Sequence, residues 1–153
     1  MRATAGRGAR ATVALASGGD FVLLDESYNA HPRSMEAALE VLERLPGRHL
    51  AVLGDMLELG EASAELHAGL ADAVRRAKVA HLFACGPLMA HLCRHLTDVA
   101  CTHADRVEGL LDDLRAALRP GDAVLVKGSL GSRMAVAVDA LRTQGGAVTG
   151  RGR

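Results

Sequence analysis

Short apolar runs that alternate with stretches of helical periodicity constrain this chain more than any other feature. Phe21–Asp25, His49–Leu53, Val79–Ala84, Val99–Cys101 and Ala123–Lys127 read as strands, because runs this short with Gly and Pro nearby have strand rather than helix length. Between them apolar residues recur every three or four positions, which is helical spacing. Met35, Ala38, Leu39 and Leu42 share one face of a helix from Ser34 to about Leu45. Leu66, Leu70, Ala73, Val74 and Ala77 do so from about Ser63 to Ala77, and Val107, Leu110, Leu111, Leu114 and Leu118 over Asp105–Leu118. A short helix over Pro87–Leu96 and a last one from about Ser132 to Arg142 complete the series. Pro46-Gly47 and Pro120-Gly121 end the helices before them. Upstream, a strand near Ala11–Ala16 and the turn Ser17-Gly18-Gly19-Asp20 form a hairpin with the run at Phe21.

This rhythm predicts an α/β fold: a doubly wound, mostly parallel, Rossmann-like sheet with helices on both faces and an N-terminal hairpin. The expected domain is 11–143, with 1–10 a tail or junction and 144–153 a second tail. Right-handed crossovers gather the strands' carboxyl ends on one edge, where such sheets bind ligands.

Composition narrows the partners. Aromatic residues make up 2% of the chain and Trp is absent, so the core is built from Ala, Val, Leu and Met, without base-stacking platforms. The 18 basic and 18 acidic residues cancel, which gives no reason to expect nucleic acid or an anionic membrane as partner. No apolar run approaches a bilayer span. Cys85, Cys93 and Cys101 match no zinc or C-x-x-C pattern; Cys85 and Cys101 end apolar runs and read as buried small hydrophobes. An odd count with no secretory signal fits a reducing cytoplasm.

Three loops at predicted strand ends carry the chemistry. Asp25-Glu26-Ser27-Tyr28-Asn29-Ala30-His31-Pro32-Arg33-Ser34-Met35 follows the first internal strand, with Ser34 at the expected helix N-cap. A strand-end carboxylate such as Asp25 is placed to accept from ribose hydroxyls. Leu53-Gly54-Asp55-Met56-Leu57-Glu58-Leu59-Gly60 follows the next strand, with His67 beyond it. Asp55 and Glu58 are paired carboxylates of the kind that hold a divalent cation or a substrate ammonium. No third ligand is in view, so the expectation is no metal, with His67 anchoring its helix to the loop or lining the cleft. Lys127-Gly128-Ser129-Leu130-Gly131-Ser132-Arg133 combines glycines, a helix N-terminus and two cations, the makings of an anion site. It is not a Walker A loop, whose pattern is absent from the chain.

These three loops, in this order, resemble the D-S-Y-N-A-N-P-x-S-M, L-G-D-M-x-E-L-G…H and L-V-K-G-S segments of Mur ligases, in the branch that adds D-alanyl-D-alanine to a UDP-N-acetylmuramoyl-tripeptide in peptidoglycan synthesis. Gly6-Arg7-Gly8 resembles the start of that family's last domain. The resemblance runs from about residue 6 to about residue 142. It implies a C-terminal ligase domain that closes over ATP and presents the dipeptide amine. It implies Asp25 on the ribose with Tyr28, Asn29 and His31 around the nucleotide, and Lys127, Ser129 and Arg133 on the dipeptide carboxylate, with Asp55 and Glu58 on the substrate side. The family's phosphate loop, Mg2+ ligands and UDP-sugar site belong to two preceding domains. The chain alone is therefore expected to be inactive and to hold no catalytic residue of its own. A cytoplasmic location is also implied. His31 in place of Asn, Leu130 in place of Arg and Ala135 in place of Glu depart from the pattern. The alternatives are another Mur or folate-type polyglutamyl ligase, or a stand-alone nucleotide-binding α/β module.

Overall fold

The computed structural model describes residues 9–27 and 30–143. Among them a six-stranded sheet has the order β1-β2-β6-β3-β4-β5. The strands are β1 (Ala9–Ala14), β2 (Asp20–Glu26), β3 (His49–Gly54), β4 (Val79–Cys85), β5 (Ala100–Ala104) and β6 (Ala123–Lys127). β1 runs antiparallel to β2 and every other pairing is parallel. The hairpin between β1 and β2 turns through Gly18 and Gly19, both at positive φ. It closes with the Leu15 N–H donating to the Gly19 carbonyl.

The helices are α1 (Pro32–Glu43), α2 (Ser63–Ala68), α3 (Ala71–Arg76), α4 (Ala90–His95), α5 (Leu111–Ala117) and α6 (Met134–Arg142). Met35, Leu39 and Leu42 of α1, Val74 of α3 and Leu92 of α4 pack with Ala51, Leu53, Leu82 and Leu125 on one face of the sheet. Leu114 of α5 and Met134, Ala137 and Leu141 of α6 pack with Leu50, Val52, Phe83 and Val124 on the other. The central strands β3 and β6 are buried along their whole length. The doubly wound α/β expectation therefore holds.

Local departures have physical causes. α1 starts at Pro32, not Ser34; His31 is the N-cap and Ser34 the third residue of a capping box. The helix expected over Ser63–Ala77 is split, because at Gly69 the chain tightens and the Leu70 N–H reaches the His67 carbonyl three residues back. Asp105–Leu118 begins as a 3₁₀ turn over Val107–Leu110 and is α-helical only from Leu111. Cys93 of α4 and Cys101 of β5 form a disulfide with Cα atoms 6.1 Å apart. Cys101 is thus no isolated buried thiol, and the odd-count argument for a reducing compartment loses its basis. The pairing arises from α4 packing on β5, which spacing along the chain does not reveal. Cys85 is a buried free thiol, as expected. No helix among the described residues is long and apolar enough to cross a membrane.

Candidate functional site

The topology chooses the site. α3 leaves β3 toward β4 on one face of the sheet, while α6 leaves β6 on the opposite face. The carboxyl ends of these two neighbouring strands thus form a switch point, where ligands bind in such sheets. Here two loops approach very closely. A Cβ on Gly128 would lie 3.0 Å from the Gly54 Cα and 2.5 Å from Met134, so both positions need glycine for space.

All three predicted loops meet along this edge. Asp25 is level with Val126, Glu26 with Lys127, and Leu53 also with Lys127. Alternation along each strand then separates the side chains. Leu23 and Val126 belong to the α6 face and Leu24 and Leu125 to the α1 face. Asp25 therefore points to the α6 side and the Glu26–Lys127 pair to the α1 side. Lys127 is only 3% exposed, and its ammonium lies 3.7 Å from the Glu26 carboxylate. Burial pushes the Lys127 pKa down, against the pull of Glu26.

Asp25 is buried rather than solvent-facing. Its Oδ1 accepts from the Ser27 N–H at 3.1 Å and the Ser27 hydroxyl at 2.6 Å. Among the described residues nothing hydrogen-bonds its Oδ2. Tyr28 and Asn29 lie outside the described residues. His31 caps α1, its Nδ1 accepting from the Ser34 N–H at 3.3 Å. That is the task Asn performs well at an N-cap, so replacing Asn by His keeps the local structure.

Asp55 joins three loops. Its two carboxylate oxygens accept from the Leu88 and Met89 N–H groups at 3.2 and 2.9 Å. Its carbonyl accepts from the Ser129 hydroxyl at 2.9 Å. Gly86 sits at φ +107, and a Cβ there would lie 2.4 Å from the Asp55 carboxyl carbon. His67 is fully buried; its Nε2 accepts from the Met56 N–H at 2.9 Å and its Nδ1 donates to the Ser63 carbonyl at 2.6 Å. Asp55, Ser129 and His67 thus shape the loops, whereas Glu58 is exposed and held at φ +62.

A cavity of about 420 Å³ opens over the carboxyl ends of β3, β4 and β5. Asp55 and Leu57, Cys85 to Pro87, Asp105 to Glu108 and Gly131 to Arg133 line it. Arg133 has left-handed backbone at φ +60, and its guanidinium donates to Glu108 at 2.7 Å. Such strain at a non-glycine residue is commonly kept where a side chain must be aimed. Glu108 is held below the usual carboxylate range by its own backbone N–H, then by Arg133 and Arg106. Burial, then Asp55, Glu108 and Asp105, pushes the Cys85 thiol up to about 11. Of the five residues expected on the substrate side, Arg133 and Asp55 line this cavity and Lys127 does not. Sequence reasoning missed Glu26, whose partnership with Lys127 the acidic doublet at the strand end hints at. It also missed Arg106 and Glu108, which carry no local motif. No three His, Cys, Asp or Glu side chains gather as a metal cluster among the described residues.

Residues 9–130 match the family model described as Mur ligase, glutamate ligase domain. The chain is 34% identical over 126 residues to the UDP-N-acetylmuramoyl-tripeptide–D-alanyl-D-alanine ligase of Escherichia coli, covering 81% of this chain and 27% of that enzyme. It is 38% identical over 121 residues to the ligase of the same name from Synechocystis, covering 73% of this chain and 25% of that one. In structure it superposes with TM-score 0.78 on the MurF ligase of Thermotoga maritima in complex with ADP, at 25% identity over 93% of this chain and 31% of the other. The chain thus spans about a quarter of the length of the curated relatives it matches.

Proposed function

The chain belongs to the Mur ligase family, matching its glutamate ligase domain, and from that membership we propose that it is the C-terminal, ATP-closing and substrate-presenting domain of a D-alanyl-D-alanine-adding ligase. The observation that carries this reading is that three loops resembling that branch of the family converge on one sheet edge, around the β3–β6 switch point. The whole reaction we propose joins a UDP-N-acetylmuramoyl-tripeptide carboxylate to the dipeptide amine, driven by ATP through an acyl phosphate, in the cytoplasm.

Within it, Asp25 offers its Oδ2 to a ribose hydroxyl, held in place by Ser27. Tyr28, Asn29 and His31 are its nucleotide-side neighbours along the chain. Arg133 faces the amino substrate from the cavity wall, and Asp55 and Ser129 keep its loops in register, while Lys127 and Glu58 lie outside that cavity. A cation beside a helix start favours a carboxylate. Magnesium would serve to bind the phosphates. The described residues offer it no cluster of ligands, so we assign its ligands to other domains. The domain's share of catalysis is positioning, and alone it is expected to release no phosphate from ATP.

The test adds this chain to the separate N-terminal and central domains of a relative such as the E. coli ligase and measures phosphate release with a panel of amino substrates. Release that requires both this chain and D-alanyl-D-alanine supports the reading. Release with glutamate or a diamino acid instead would move the chain to another branch of the family. ATP turnover by this chain alone would overturn the reading.

A further inference from the structure

Cys93 of α4 and Cys101 of β5 are joined by a disulfide that no step of the proposed ligation uses. That reaction belongs to the cytoplasm, where small thiols keep most cysteines reduced and the disulfides that do form are usually redox-sensing or catalytic. We propose that this pair is a reversible thiol–disulfide switch, oxidised by a small-molecule disulfide, whose state sets how firmly β5 and the cavity wall that follows it are held. The inference rests on the reading that this is a domain of a cytoplasmic ligase, and adds a means of controlling it.

The bridge ties α4 to the strand that most needs a tie. β5 lies at the edge of the sheet, paired with β4 alone, and none of its residues is fully buried. The chain runs from β5 straight into Asp105 to Glu108, which line the cavity, and there Glu108 meets Arg133 at 2.7 Å. The start of α4 is fixed to the same region. Its Leu88 and Met89 amides donate to the Asp55 carboxylate. Just before it, the Gly86 N–H donates to the Ala104 carbonyl at 2.8 Å, and His103 Nε2 donates to the Gly86 carbonyl at 2.7 Å. The disulfide closes this ring of contacts covalently. Opening it leaves the end of β5 and the cavity wall held by hydrogen bonds and packing.

A switch needs two folded states, access for its co-reactant and no competing thiol. The bridge spans a sequence separation of 8, and so short a loop constrains the unfolded chain less than a long one. Met89, Leu92 and Leu96 stay buried in the core, so α4 keeps its seat when the bridge opens. Both cysteines of the pair are only partly buried, within reach of a small disulfide. Cys85 is buried on the α6 face, whereas Cys93 and Cys101 pack on the α1 face, so the sheet keeps the third thiol out of the exchange. In the oxidation one thiolate of the reduced pair attacks a sulfur of the small disulfide, which gives a mixed disulfide and releases one small thiol. The other thiolate attacks the protein sulfur of that mixed disulfide, which forms the Cys93–Cys101 bond and releases the second small thiol. Two electrons pass from the pair to the small disulfide, and the pair's two protons end on the released thiols.

The test equilibrates this chain with mixtures of reduced and oxidised glutathione, blocks the remaining thiols with iodoacetamide in denaturant, and reads the bridged fraction by mass. Cys93 and Cys101 should convert together as the mixture becomes oxidising, with Cys85 alkylated throughout. A bridge that persists in a large excess of reduced glutathione, or never forms in oxidised glutathione, overturns the proposal. Amide exchange is then compared between the two states. On reduction the amides of β5 and of Val107–Leu110 should exchange about ten- to hundredfold faster, as release of a short cross-linked loop predicts, while those of β3 and β6 stay unchanged. Equal exchange in the two states overturns the proposal, as does unfolding of the whole domain on reduction. Cys93→Ser and Cys101→Ser should each match the reduced state in every mixture, and Cys85→Ser should keep the response of the parent. Neither readout uses ATP or an amino substrate, so the switch can fail while the domain assignment stands. In the reassembled ligase, Cys93→Ser should raise the Michaelis constant for the dipeptide several-fold over the bridged chain, because the cavity wall is less preorganised. Equal constants overturn the switch as a control of the site. If the ligase ignores the dipeptide, the domain assignment fails and amide exchange alone decides the switch.

Discussion

At the amino edge of the sheet, Arg48 meets Asp122 in a bidentate pair, its Nε and terminal nitrogen at 2.9 and 2.8 Å from the two carboxylate oxygens. Arg48 also donates to the Ala117 carbonyl, and Asp122 accepts from the Arg119 N–H at 2.8 Å. Nearby, both ring nitrogens of His49 lie against carbonyls, those of Ala77 and Leu45. The buried charge there, Asp122, has both carboxylate oxygens answered by Arg48 and by the Arg119 N–H. The carboxyl edge holds buried charges too, in Asp25, Asp55 and Lys127. There Asp55 lines a cavity, and one Asp25 oxygen has no partner among the described residues. Buried charge alone therefore does not mark a site. A site shows in charge combined with space and with hydrogen-bonding capacity that the fold leaves over.

The largest effect expected from this contrast is on stability and falls at the amino edge. Asp122→Ala leaves a half-buried guanidinium unpaired and strips the Arg119 N–H of its acceptor. A broken buried pair costs about 3–5 kcal/mol; because Arg48 remains 28% exposed, about 2–3 kcal/mol is expected. Denaturant unfolding would measure it, and ligand titrations on the folded fraction should show no change. Altered ligand binding would dissolve the distinction between the edges.

At the carboxyl edge, Gly86→Ala should affect stability and site together. Its φ of +107 disfavours a side chain, and the added Cβ would run into the Asp55 carboxylate. About 2 kcal/mol is expected from the backbone strain. The Asp55 bonds to Leu88 and Met89 should loosen as well, which amide exchange at those residues would report. A variant with wild-type exchange and stability would show that Asp55 is not the keystone of these loops.

The contrast also explains how much could be read from the chain. The strands β2, β3, β4 and β6 were legible because each is a short apolar run, whereas β1 and β5, which are less apolar, lie two and one residues from where they were expected to begin. The loops were legible because charges stand at or one residue beyond the ends of those runs, after Leu24, Leu53 and Val126. The insertion of β6 between β2 and β3 was not legible, since pairing partners far apart in sequence leave no local trace. Nor was the opposite facing of Asp25 and Lys127, which follows from register. Asp55 looked like a ligand-binding acid because its partners, the Leu88 and Met89 amides, lie more than thirty residues away. Arg106 and Glu108 sit in an ordinary-looking helix start, and only folding brings them to Arg133.

A smaller effect, confined to one ligand, is expected at Asp25. Asp25→Asn keeps the side chain's shape and an acceptor for Ser27 but removes the charge. In the reassembled ligase the Michaelis constant for ATP should rise about tenfold, the difference between a charged and a neutral hydrogen bond to a hydroxyl. The constant for the dipeptide should stay the same. A loss of stability with an unchanged ATP constant would place Asp25 with Asp122, as a charge that serves the fold.

The smallest expected effect is on Cys85, and it tests whether the cavity wall is as closed as its lining suggests. Cys85 lines the cavity yet is only 2% exposed, and burial, then Asp55, Glu108 and Asp105, pushes its pKa up to about 11. The nucleophile in alkylation is the thiolate, so the native domain should react with iodoacetamide far more slowly than a free thiol near neutral pH. The sign of the pH dependence is fixed by the same shift. An unfolded cysteine ionises near its ordinary value, about 8.5, so the folded state holds its proton more tightly between there and about 11. Stability drawn from Cys85 is therefore complete below that window and falls as pH rises through it. Cys85→Ser should flatten that part of the pH profile by a small amount. Timed alkylation with mass detection of the modified residue reads the first effect, and denaturant unfolding across the window reads the second. Fast alkylation at neutral pH would mean that the cavity floor opens to solvent, and the carboxyl edge would then differ from the amino edge in mobility as well as in charge.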